Sequence, residues 1–291
     1  MQAINFYDSI SRLKVHQGKG HISLHKPLLL LLCIGKVYKG DPNGFIFESI
    51  EPELTDLIRR YGLKNTRRVN PQYPFVYLAS SDGLWTCSKL KNELRYPDAA
   101  SRSELIGEVG AFTQEFYFFL QTKENLSGIV NFILNQFWTE AFHEDLLHEL
   151  GLDGLDFGYY FAKSASLRSK EFVLNVIDAY ESQCAICRQS VRLQDTILGI
   201  DACHLKPLQH FGDDKITNGI ALCKTHHWAL DRGAISISPD YLLLISPRLS
   251  GQKVQEHFGI HESSELYVPR NYAHRLDLSN ITYHQENIFV K

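Results

Sequence analysis

Four metal-binding side chains in the C-terminal half of the sequence form two pairs, each with two residues between its members. Cys184 and Cys187 are the first pair, and Cys223 and His226 are the second. Two thiolates at this spacing reach one ion from a single tight turn, and a second pair at the start of a helix completes a tetrahedron. The spacing predicts one closed, structural zinc site; the alternative is a set of buried free cysteines with chance neighbours.

A second set of polar residues lies between and after the zinc pairs. His204 ends an apolar segment that we expect to be a strand, and Asn218 precedes a glycine. His227 and Asp231 are four residues apart in a predicted helix, so their side chains share one face. Adjacent helical residues point about 100° apart, so His226 and His227 cannot easily bind the same ion. These residues predict a second cation site, formed by His227 and Asp231.

This second set resembles the His-Asn-His motif of HNH nucleases, whose fold is a ββα-metal finger. The resemblance covers residues 170–250 and rests on two runs, Ala202-Cys-His-Leu-Lys-Pro207 and Asn218-Gly-Ile-Ala-Leu-Cys-Lys-Thr-His-His-Trp-Ala-Leu-Asp-Arg-Gly233. The form of these runs is similar to that found in modification-dependent restriction enzymes. We therefore expect a metal-dependent HNH endonuclease domain.

The resemblance implies a role for each residue. His204 is the expected general base that takes a proton from water, and histidine suits this task because its ordinary pKa lies near neutrality. Asn218 is expected to hold the loop and to orient His204 through a hydrogen bond. His227 and Asp231 are expected to bind one Mg²⁺ or Mn²⁺, which stabilises charge on the phosphate and the leaving oxygen. In the alternative, the histidines belong to a zinc knuckle and Asp231 lies on the helix surface.

One residue departs from the pattern of many family members, which have Asp or His directly before the base as a further metal ligand. Here that residue is Cys203. A thiol is a soft ligand that matches Mg²⁺ poorly, so either Cys203 packs in the core or the metal has fewer protein ligands. Asp201 lies on the same face of the strand, two residues earlier, and is the other candidate for contact with this metal.

The N-terminal half combines cations, aromatic rings and prolines. They occur in three segments: His25-Lys26-Pro27, Arg67-Arg68 and Asn70-Pro-Gln-Tyr-Pro-Phe75. Such a surface contacts phosphate through its cations and also presents an apolar wall. In the alternative, Tyr73-Pro74 is a turn at the start of a strand and the arginine pair lies in a solvated loop.

The same half resembles the DNA sulfur-binding domain of restriction enzymes that recognise phosphorothioated DNA, in which sulfur replaces one non-bridging phosphate oxygen. The resemblance covers roughly residues 5–152. It rests on four motifs: His25-Lys26-Pro27-Leu28, Tyr73-Pro74-Phe75, Asp82-Gly83-Leu84-Trp85 and Phe142-His-Glu-Asp-Leu-Leu147.

The chemistry of sulfur fits the residues that this resemblance selects. Sulfur is larger, softer and less hydrated than oxygen, so a shallow pocket of Tyr73 and Pro74 prefers it through dispersion and easier desolvation. Lys26 and the Arg67-Arg68 pair are expected to hold the charged phosphate beside it, and His25 completes the predicted DNA-binding set. The family often has Arg at the Lys26 position, and a lysine does not make the same two-pronged contact.

The secondary structure that we expect around these residues is that of an α+β protein. We expect a mixed helical and β reading domain over 1–152, a linker over 153–168, and a zinc-stabilised ββα-metal finger domain with a C-terminal extension over 169–291. In the first domain, a buried helix is expected from His25, and strands are expected at 75–79 and 84–87.

Helical spacing of apolar residues predicts two further helices before Gly151, a plausible C-cap. In the C-terminal extension, strand-like pieces are expected at 264–269 and 280–284, packed back on the zinc domain.

Bulk properties exclude several classes of protein. The longest apolar run, Leu28-Leu-Leu-Leu-Leu-Cys-Ile34, is far shorter than a membrane span needs. The N-terminus lacks a basic region followed by an apolar one, so we expect an unprocessed cytoplasmic protein. Four of the six cysteines lie at 184, 187, 203 and 223, which favours metal over disulfides. The net charge of −3 argues against a strongly basic coat but permits local basic patches.

Three functions are consistent with the sequence. The first is a type IV restriction endonuclease that recognises phosphorothioated double-stranded DNA and hydrolyses it nearby, in defence against foreign DNA. The second is an HNH nuclease that recognises a different modification, such as a modified base, which such readers often extrude into a pocket. The third is a zinc-stabilised DNA-binding protein without catalysis. A single finger cuts one strand, so a double-strand break implies a homodimer or two events.

Overall fold

The computed structural model of the protein describes residues 5–13, 17–18, 21–62, 69–81, 83–87, 101–155, 169–258 and 261–291. The chain divides into two compact units, Met1–Lys163 and Ser164–Lys291. The domain boundaries expected from the sequence stay predictions, because residues 156–168 of the expected linker lie outside the described part. No helix in these described ranges is both long and apolar enough to cross a membrane.

The N-terminal unit consists mainly of helices, with a small sheet. Its helices are α1 (Phe6–Ser11), α2 (His25–Tyr38), α3 (Phe47–Tyr61), α4 (Gln72–Tyr77), α5 (Gln114–Phe119), α6 (Lys123–Phe137) and α7 (His143–Leu150). Its strands are β1 (Gln17–Gly18), β2 (His21–Ile22), β3 (Phe45–Ile46), β4 (Trp85–Cys87) and β5 (Val109–Phe112). The sheet is antiparallel with the order β3-β5-β4, and β1 pairs with β2.

Helix α2 lies at the centre of this unit. Its residues Leu28, Leu29, Leu30 and Leu31 are fully buried, and α3, α4, α6 and α7 pack against it. A helix that is apolar on all sides is stable only when other elements surround it. The expected start at His25 is confirmed, as are the two later helices, α6 and α7. Gly151 ends α7 in the left-handed conformation, with φ of 67°.

Residues 75–79, expected to form a strand, are helical instead. Helix α4 covers Gln72–Tyr77, and a 3₁₀ turn continues over Leu78–Ser80. A short apolar run does not distinguish a buried strand from a buried helix by its periodicity. Pro71 at the N-cap and Pro74 in the first turn favour the helix, because a helix start leaves unpaired the N–H groups that proline lacks. The second expected strand is present as β4.

The C-terminal unit has its own elements and its own core. Its helices are α8 (Lys170–Ala179), α9 (Lys224–Asp231), α10 (Val254–His257) and α11 (Leu278–Asn287). Its strands are β6 (Val191–Leu193), β7 (Thr196–Leu198), β8 (Ile200–His204), β9 (Gly219–Cys223), β10 (Ile235–Ile237) and β11 (Leu243–Ile245). The strands form three antiparallel hairpins: β6-β7, β8-β9 and β10-β11.

Hairpin β8-β9 and helix α9 form the ββα arrangement that the sequence predicted. The two strands pair from Ile200 opposite Cys223 to His204 opposite Gly219. Helix α9 begins at Lys224, directly after β9, and α8 packs against both strands. Every residue of β9 is buried, so the hairpin that ends at His204 lies inside the core of this unit. The α+β fold class is confirmed.

The C-terminal tail packs on this core as expected, but not as the expected strands. Residues 280–284 lie within α11, whose N-cap residue Asp277 accepts a hydrogen bond from the backbone N–H of Ser279 at 2.7 Å. The segment 264–269 makes an isolated bridge through Glu265 to Leu242. Side chains of the tail that join the core are Leu266, Leu276 and Ile281. The β-branched and aromatic residues of 280–284 suggested a strand, but an acidic N-cap starts a helix there.

Candidate metal centres and active site

The four predicted zinc ligands lie together. Cys184 and Cys187 follow α8, Cys223 ends β9, and His226 is in the first turn of α9; their ligand atoms all lie within 4.8 Å of one another. The Sγ atoms of Cys187 and Cys223 are 3.9 Å apart, and the Sγ of Cys184 is 3.5 Å from Nδ1 of His226. A tetrahedral zinc with Zn–S bonds of about 2.3 Å requires ligand atoms at about these separations. The donor set and its geometry therefore fit zinc.

Backbone hydrogen bonds hold the first zinc pair in its tight turn. The N–H of Arg188 donates to the carbonyl of Cys184 at 3.0 Å, and the N–H of Ala185 donates to the carbonyl of Ala221 in β9 at 2.8 Å. Arg188 has a positive φ of 61°. The second bond ties the turn to the strand that ends at Cys223, so the two halves of the site are parts of one structure.

The charges in this cluster also favour metal binding. Hydrogen bonds from Cys187 and Cys223 lower the pKa of the Cys184 thiol, so that this group is a thiolate. Burial opposes protonation of His226, but hydrogen bonds to Cys184 and Cys187 outweigh it and raise the His226 pKa to about 9. A buried thiolate that stabilises a protonated histidine beside it also favours a bound cation.

His227 and Asp231 form the second predicted cation site on α9. Nε2 of His227 is 3.5 Å from Oδ2 of Asp231, so both groups converge on one point. On the other side of the ring, Nδ1 of His227 donates to Oδ2 of Asp201 in β8 at 2.9 Å. Lys224 donates to the second oxygen of Asp201 at 2.7 Å. Asp201 therefore fixes the histidine with Nε2 directed toward Asp231, as a carboxylate commonly does for a metal-binding histidine.

Electrostatics match this arrangement. Burial alone lowers the pKa of His227, but Cys203, the hydrogen bond to Asp201 and the charge of Asp231 raise it to about 11. Burial alone raises the pKa of Asp201, but hydrogen bonds from His227 and Lys224 lower it to about 2. The carboxylates of Asp201 and Asp231 thus make the site negative, and they stabilise a proton on His227 that a bound cation can replace. Cys203 itself is fully buried, and its side chain hydrogen-bonds to His227.

The predicted general base, His204, lies at the end of β8 with its ring held on two sides. Nε2 of His204 donates to Oδ1 of Asp214 at 2.8 Å. The ring of Phe172 from α8 stacks on the imidazole, with 4.1 Å between centroids and 2° between planes. Asp214 and Phe172 were not predicted, because their positions beside His204 depend on how α8 and the loop after β8 fold onto the hairpin.

Asn218 holds the loop that follows His204. Its side chain is fully buried. Oδ1 accepts from the N–H of Lys206, and Nδ2 donates to the carbonyls of Lys206 and Asp213, each at 2.9 Å. These three bonds close the loop into a fixed shape, as expected from the sequence. The hydrogen bond predicted from Asn218 to His204 is not among them, because both polar atoms of the amide bond to the backbone of Lys206 and Asp213.

In the N-terminal unit, the helices that carry the predicted sulfur-binding residues pack against each other. Helix α2 begins with His25 and Lys26, and α4 carries Tyr73 and Pro74. Pro74 is buried, Tyr73 is half-buried with its ring 6.0 Å from that of Tyr77, and Lys26 is 8% exposed. The predicted pair Arg67 and Arg68 lies outside the described residues.

Burial affects what His25 can offer to DNA. It lowers the pKa of His25 to about 4, so the ring is neutral near pH 7. A neutral imidazole offers a hydrogen bond to phosphate and no charge. Any charged contact in this part of the unit therefore comes from residues other than His25.

The geometry of the C-terminal unit defines a ββα-metal nuclease finger with a Cys₃His cluster beside it. Residues 184–238 match the family described as HNH endonuclease. Residues 3–155 match the family described as ScoMcrA-like, DNA sulfur-binding domain. The chain belongs to this ScoMcrA-like family and combines a DNA sulfur-binding domain with an HNH endonuclease domain.

Several solved structures are similar to this chain. The sulfur-binding domain of SprMcrA complexed with phosphorothioated DNA has 22% identity and a TM-score of 0.42, covering 50% of this chain and 92% of that chain. The corresponding ScoMcrA domain has 20% identity and a TM-score of 0.44, covering 53% and 99%. The modification-dependent restriction endonuclease TagI has 24% identity and a TM-score of 0.32, covering 41% and 38%. No curated protein matches the sequence.

Proposed function

We propose that the protein is an endonuclease that binds phosphorothioated double-stranded DNA and hydrolyses phosphodiester bonds nearby, in defence against foreign DNA. The observation that carries this proposal is the presence of two domains in one chain, a DNA sulfur-binding domain over 3–155 and an HNH endonuclease domain over 184–238. A nuclease finger alone cleaves with little selectivity, so the first domain directs the second to modified DNA.

In the proposed reaction, His204 acts as the general base. It takes a proton from a water molecule while the water oxygen forms a bond to phosphorus. The bond from phosphorus to the leaving oxygen breaks, its electron pair stays on that oxygen, and the oxygen takes a proton from solvent. The position of His204 at the end of β8, directly before the loop that Asn218 closes, supports this role.

His227 and Asp231 would hold one Mg²⁺ or Mn²⁺. When bound, this ion supplies positive charge that stabilises the phosphate and the leaving oxygen. The separation of 3.5 Å between Nε2 of His227 and Oδ2 of Asp231 supports this assignment. Asp201 orients His227 from the other side of its ring at 2.9 Å.

The Cys₃His cluster is proposed to bind a structural zinc. Cys184, Cys187, Cys223 and His226 fill all four positions of a tetrahedron, so such an ion has no open position for catalysis. The cluster joins the end of β9 to the start of α9. Zinc would therefore fix the junction of β9 and α9, the helix that carries His227 and Asp231.

The reading site is proposed to use Tyr73 and Pro74 as the apolar wall for sulfur. Lys26 and the Arg67-Arg68 pair would contact the phosphate charge, and His25 would donate a hydrogen bond. The packing of α2 against α4 supports a common location for the two described segments. Each finger cuts one strand, so a double-strand break requires a homodimer or two binding events.

The proposal is tested by cleavage of three duplexes of one sequence, one phosphorothioated, one methylated and one unmodified, with Mg²⁺ or Mn²⁺ present. We expect the protein to cut the phosphorothioated duplex and to leave the other two largely intact. Preferential cleavage of the methylated duplex would instead indicate a reader of modified bases.

The matched control is His204→Ala, which removes the base and leaves the zinc cluster and the reading domain in place. We expect it to bind phosphorothioated DNA like the wild type and to lose cleavage. Cleavage by this variant at a rate near wild type would exclude His204 as the base. A wild type that binds but cuts no duplex with either metal would indicate a non-catalytic DNA-binding protein.

A further inference from the structure

One carboxylate connects the general base to the start of a helix. Oδ1 of Asp214 accepts from Nε2 of His204 at 2.8 Å, and Oδ2 of Asp214 accepts from the backbone N–H of Ser169 at 3.1 Å. Ser169 is the N-cap of α8. Both oxygens of Asp214 are thus engaged, and the carboxylate has a fixed orientation toward the imidazole.

The same helix also fixes the plane of the imidazole. Phe172, in the first turn of α8, is almost completely buried and stacks parallel on the ring of His204. This contact requires glycine opposite His204 in the hairpin, because a Cβ at Gly219 would lie 2.9 Å from Cε2 of Phe172. Phe172 of α8 therefore contacts the face of the imidazole, and Asp214, which is bonded to the N-cap residue of α8, contacts its edge.

The loop that carries Asp214 is held independently of the helix. Nδ2 of Asn218 donates to the carbonyl of Asp213, the residue directly before Asp214, at 2.9 Å. Asp213 itself directs its carboxylate away to Lys215, at 2.6 Å. Of these two adjacent acids, one contacts the base and the other pairs with a surface lysine, which gives a natural control.

We propose that Asp214 is the positioning residue for the general base: it holds the proton of His204 on Nε2 and so leaves Nδ1 as the nitrogen that accepts the proton of water. The inference rests on the proposed function, in which His204 is the base. A carboxylate in this position sets the tautomer of the imidazole and stabilises the imidazolium that forms when water is deprotonated.

The proton balance of the step is complete within these groups. Water loses one proton to Nδ1 of His204, and its oxygen bonds to phosphorus as the leaving oxygen departs with its electron pair. The imidazolium then carries protons on both nitrogens, with the Nε2 proton in a charge-assisted hydrogen bond to Asp214. The proton on Nδ1 passes to solvent or to the departing oxygen, which restores the neutral ring.

Asp214→Asn is the most informative substitution because it separates positioning from structural support. The amide oxygen still accepts from the N–H of Ser169, so the loop and α8 stay joined. The amide nitrogen then faces Nε2 of His204 and donates to it, which places the proton on Nδ1 and blocks the base. Single-turnover cleavage of a phosphorothioated duplex by the full chain should slow by roughly a hundredfold or more.

Two further variants complete the test. Asp214→Glu keeps a carboxylate on a longer side chain and should recover part of the lost rate, whereas Asp213→Asn removes the neighbouring charge and should cleave like the wild type. Affinity for the duplex and thermal unfolding should be unchanged in all three, so the loss falls on the rate of chemistry and not on binding.

The results separate this inference from the function on which it rests. If the wild type cleaves, His204→Ala does not, and Asp214→Asn retains the wild-type rate, then Asp214 does not position the base. Faster cleavage by Asp214→Asn would also overturn the inference, since it would show that the contact with Asp214 lowers the activity of His204. If the wild type cleaves no DNA at all, the proposed function fails first.

Discussion

Gly219→Ala perturbs the contact on which the geometry of the base depends. Gly219 lies opposite His204 in the β8-β9 hairpin. A Cβ there would lie 2.9 Å from Cε2 and 3.0 Å from Cζ of Phe172, and closer still to a methyl group of Val176. Phe172 and Val176 are fully buried residues of α8, so neither side chain can move into solvent.

The added methyl group therefore has to push α8 away from the hairpin. Overpacking of this kind costs about 1–3 kcal/mol, and for a domain of this size each kcal/mol lowers Tm by roughly 3–6 °C. The displacement also separates Phe172 from the imidazole that it covers, and misplacement of a catalytic group by about 1 Å is enough to slow a reaction by about a hundredfold. We expect a lower Tm for the C-terminal unit together with a large loss of cleavage rate.

Thermal unfolding and single-turnover cleavage of the same preparation measure both effects. Gly44→Ala is the matched control, because its Cβ would meet its nearest neighbour at an ordinary 3.6 Å. This control should keep both the Tm and the rate. A Gly219→Ala protein with wild-type stability and wild-type cleavage would refute the claim that α8 must approach the hairpin this closely.

Five further predictions address the metal sites and the reading domain. Cys184→Ser should remove zinc, as measured by elemental analysis, and should unfold the C-terminal unit, since binding and folding are coupled in small zinc sites. Asp201→Asn should weaken Mn²⁺ binding by about 10- to 100-fold in a calorimetric titration, because the carboxylate no longer orients the histidine ligand. Tyr73→Ala should reduce affinity for phosphorothioated duplex by about ten- to a hundredfold and barely change affinity for plain duplex. Lys26→Ala should instead weaken both and flatten the salt dependence of binding. Lowering the pH from 6.5 to 4 should lower the free energy of unfolding of the N-terminal unit. In this range His25 takes up a proton in the unfolded chain but not in the folded one, where its pKa is about 4. Denaturant titrations at several pH values measure this effect, and His25→Gln should show a smaller decline.

The cysteine and histidine pairs were predictable because each half-site is local in sequence. Two residues between Cys184 and Cys187, and two between Cys223 and His226, determine the reach of the side chains whatever the rest of the fold. The i, i+4 relation of His227 and Asp231 is local in the same way. The structure brings each of these groups together as the spacing predicted.

Contacts between distant segments were not predictable. Asp214 contacts His204 across ten residues of chain, and the backbone N–H of Ser169, at the start of α8, donates to the other oxygen of its carboxylate. The sequence suggested Asp201 as a candidate for contact with the metal, but not its hydrogen bond to His227, which joins β8 to α9. Neither of these two contacts has a fixed spacing along the chain, so a single sequence contains no pattern that identifies either contact.

Secondary structure was hardest to predict where segments are short. Residues 75–79 and 280–284 both contain the aromatic and β-branched side chains that favour strands, and both are helical. In each case, helix-starting residues decided the outcome, prolines at 71 and 74 in the first and Asp277 in the second. Propensity is a weak guide when capping and tertiary packing favour another structure.

The N-terminal domain is proposed to distinguish sulfur from oxygen in the DNA backbone. Equilibrium binding of the 291-residue His204→Ala protein to phosphorothioated and unmodified duplexes of one sequence, at one stated salt concentration, tests this proposal. We expect at least about tenfold tighter binding, about 1.4 kcal/mol, to the sulfur-containing duplex. Equal affinity for the two duplexes would contradict it.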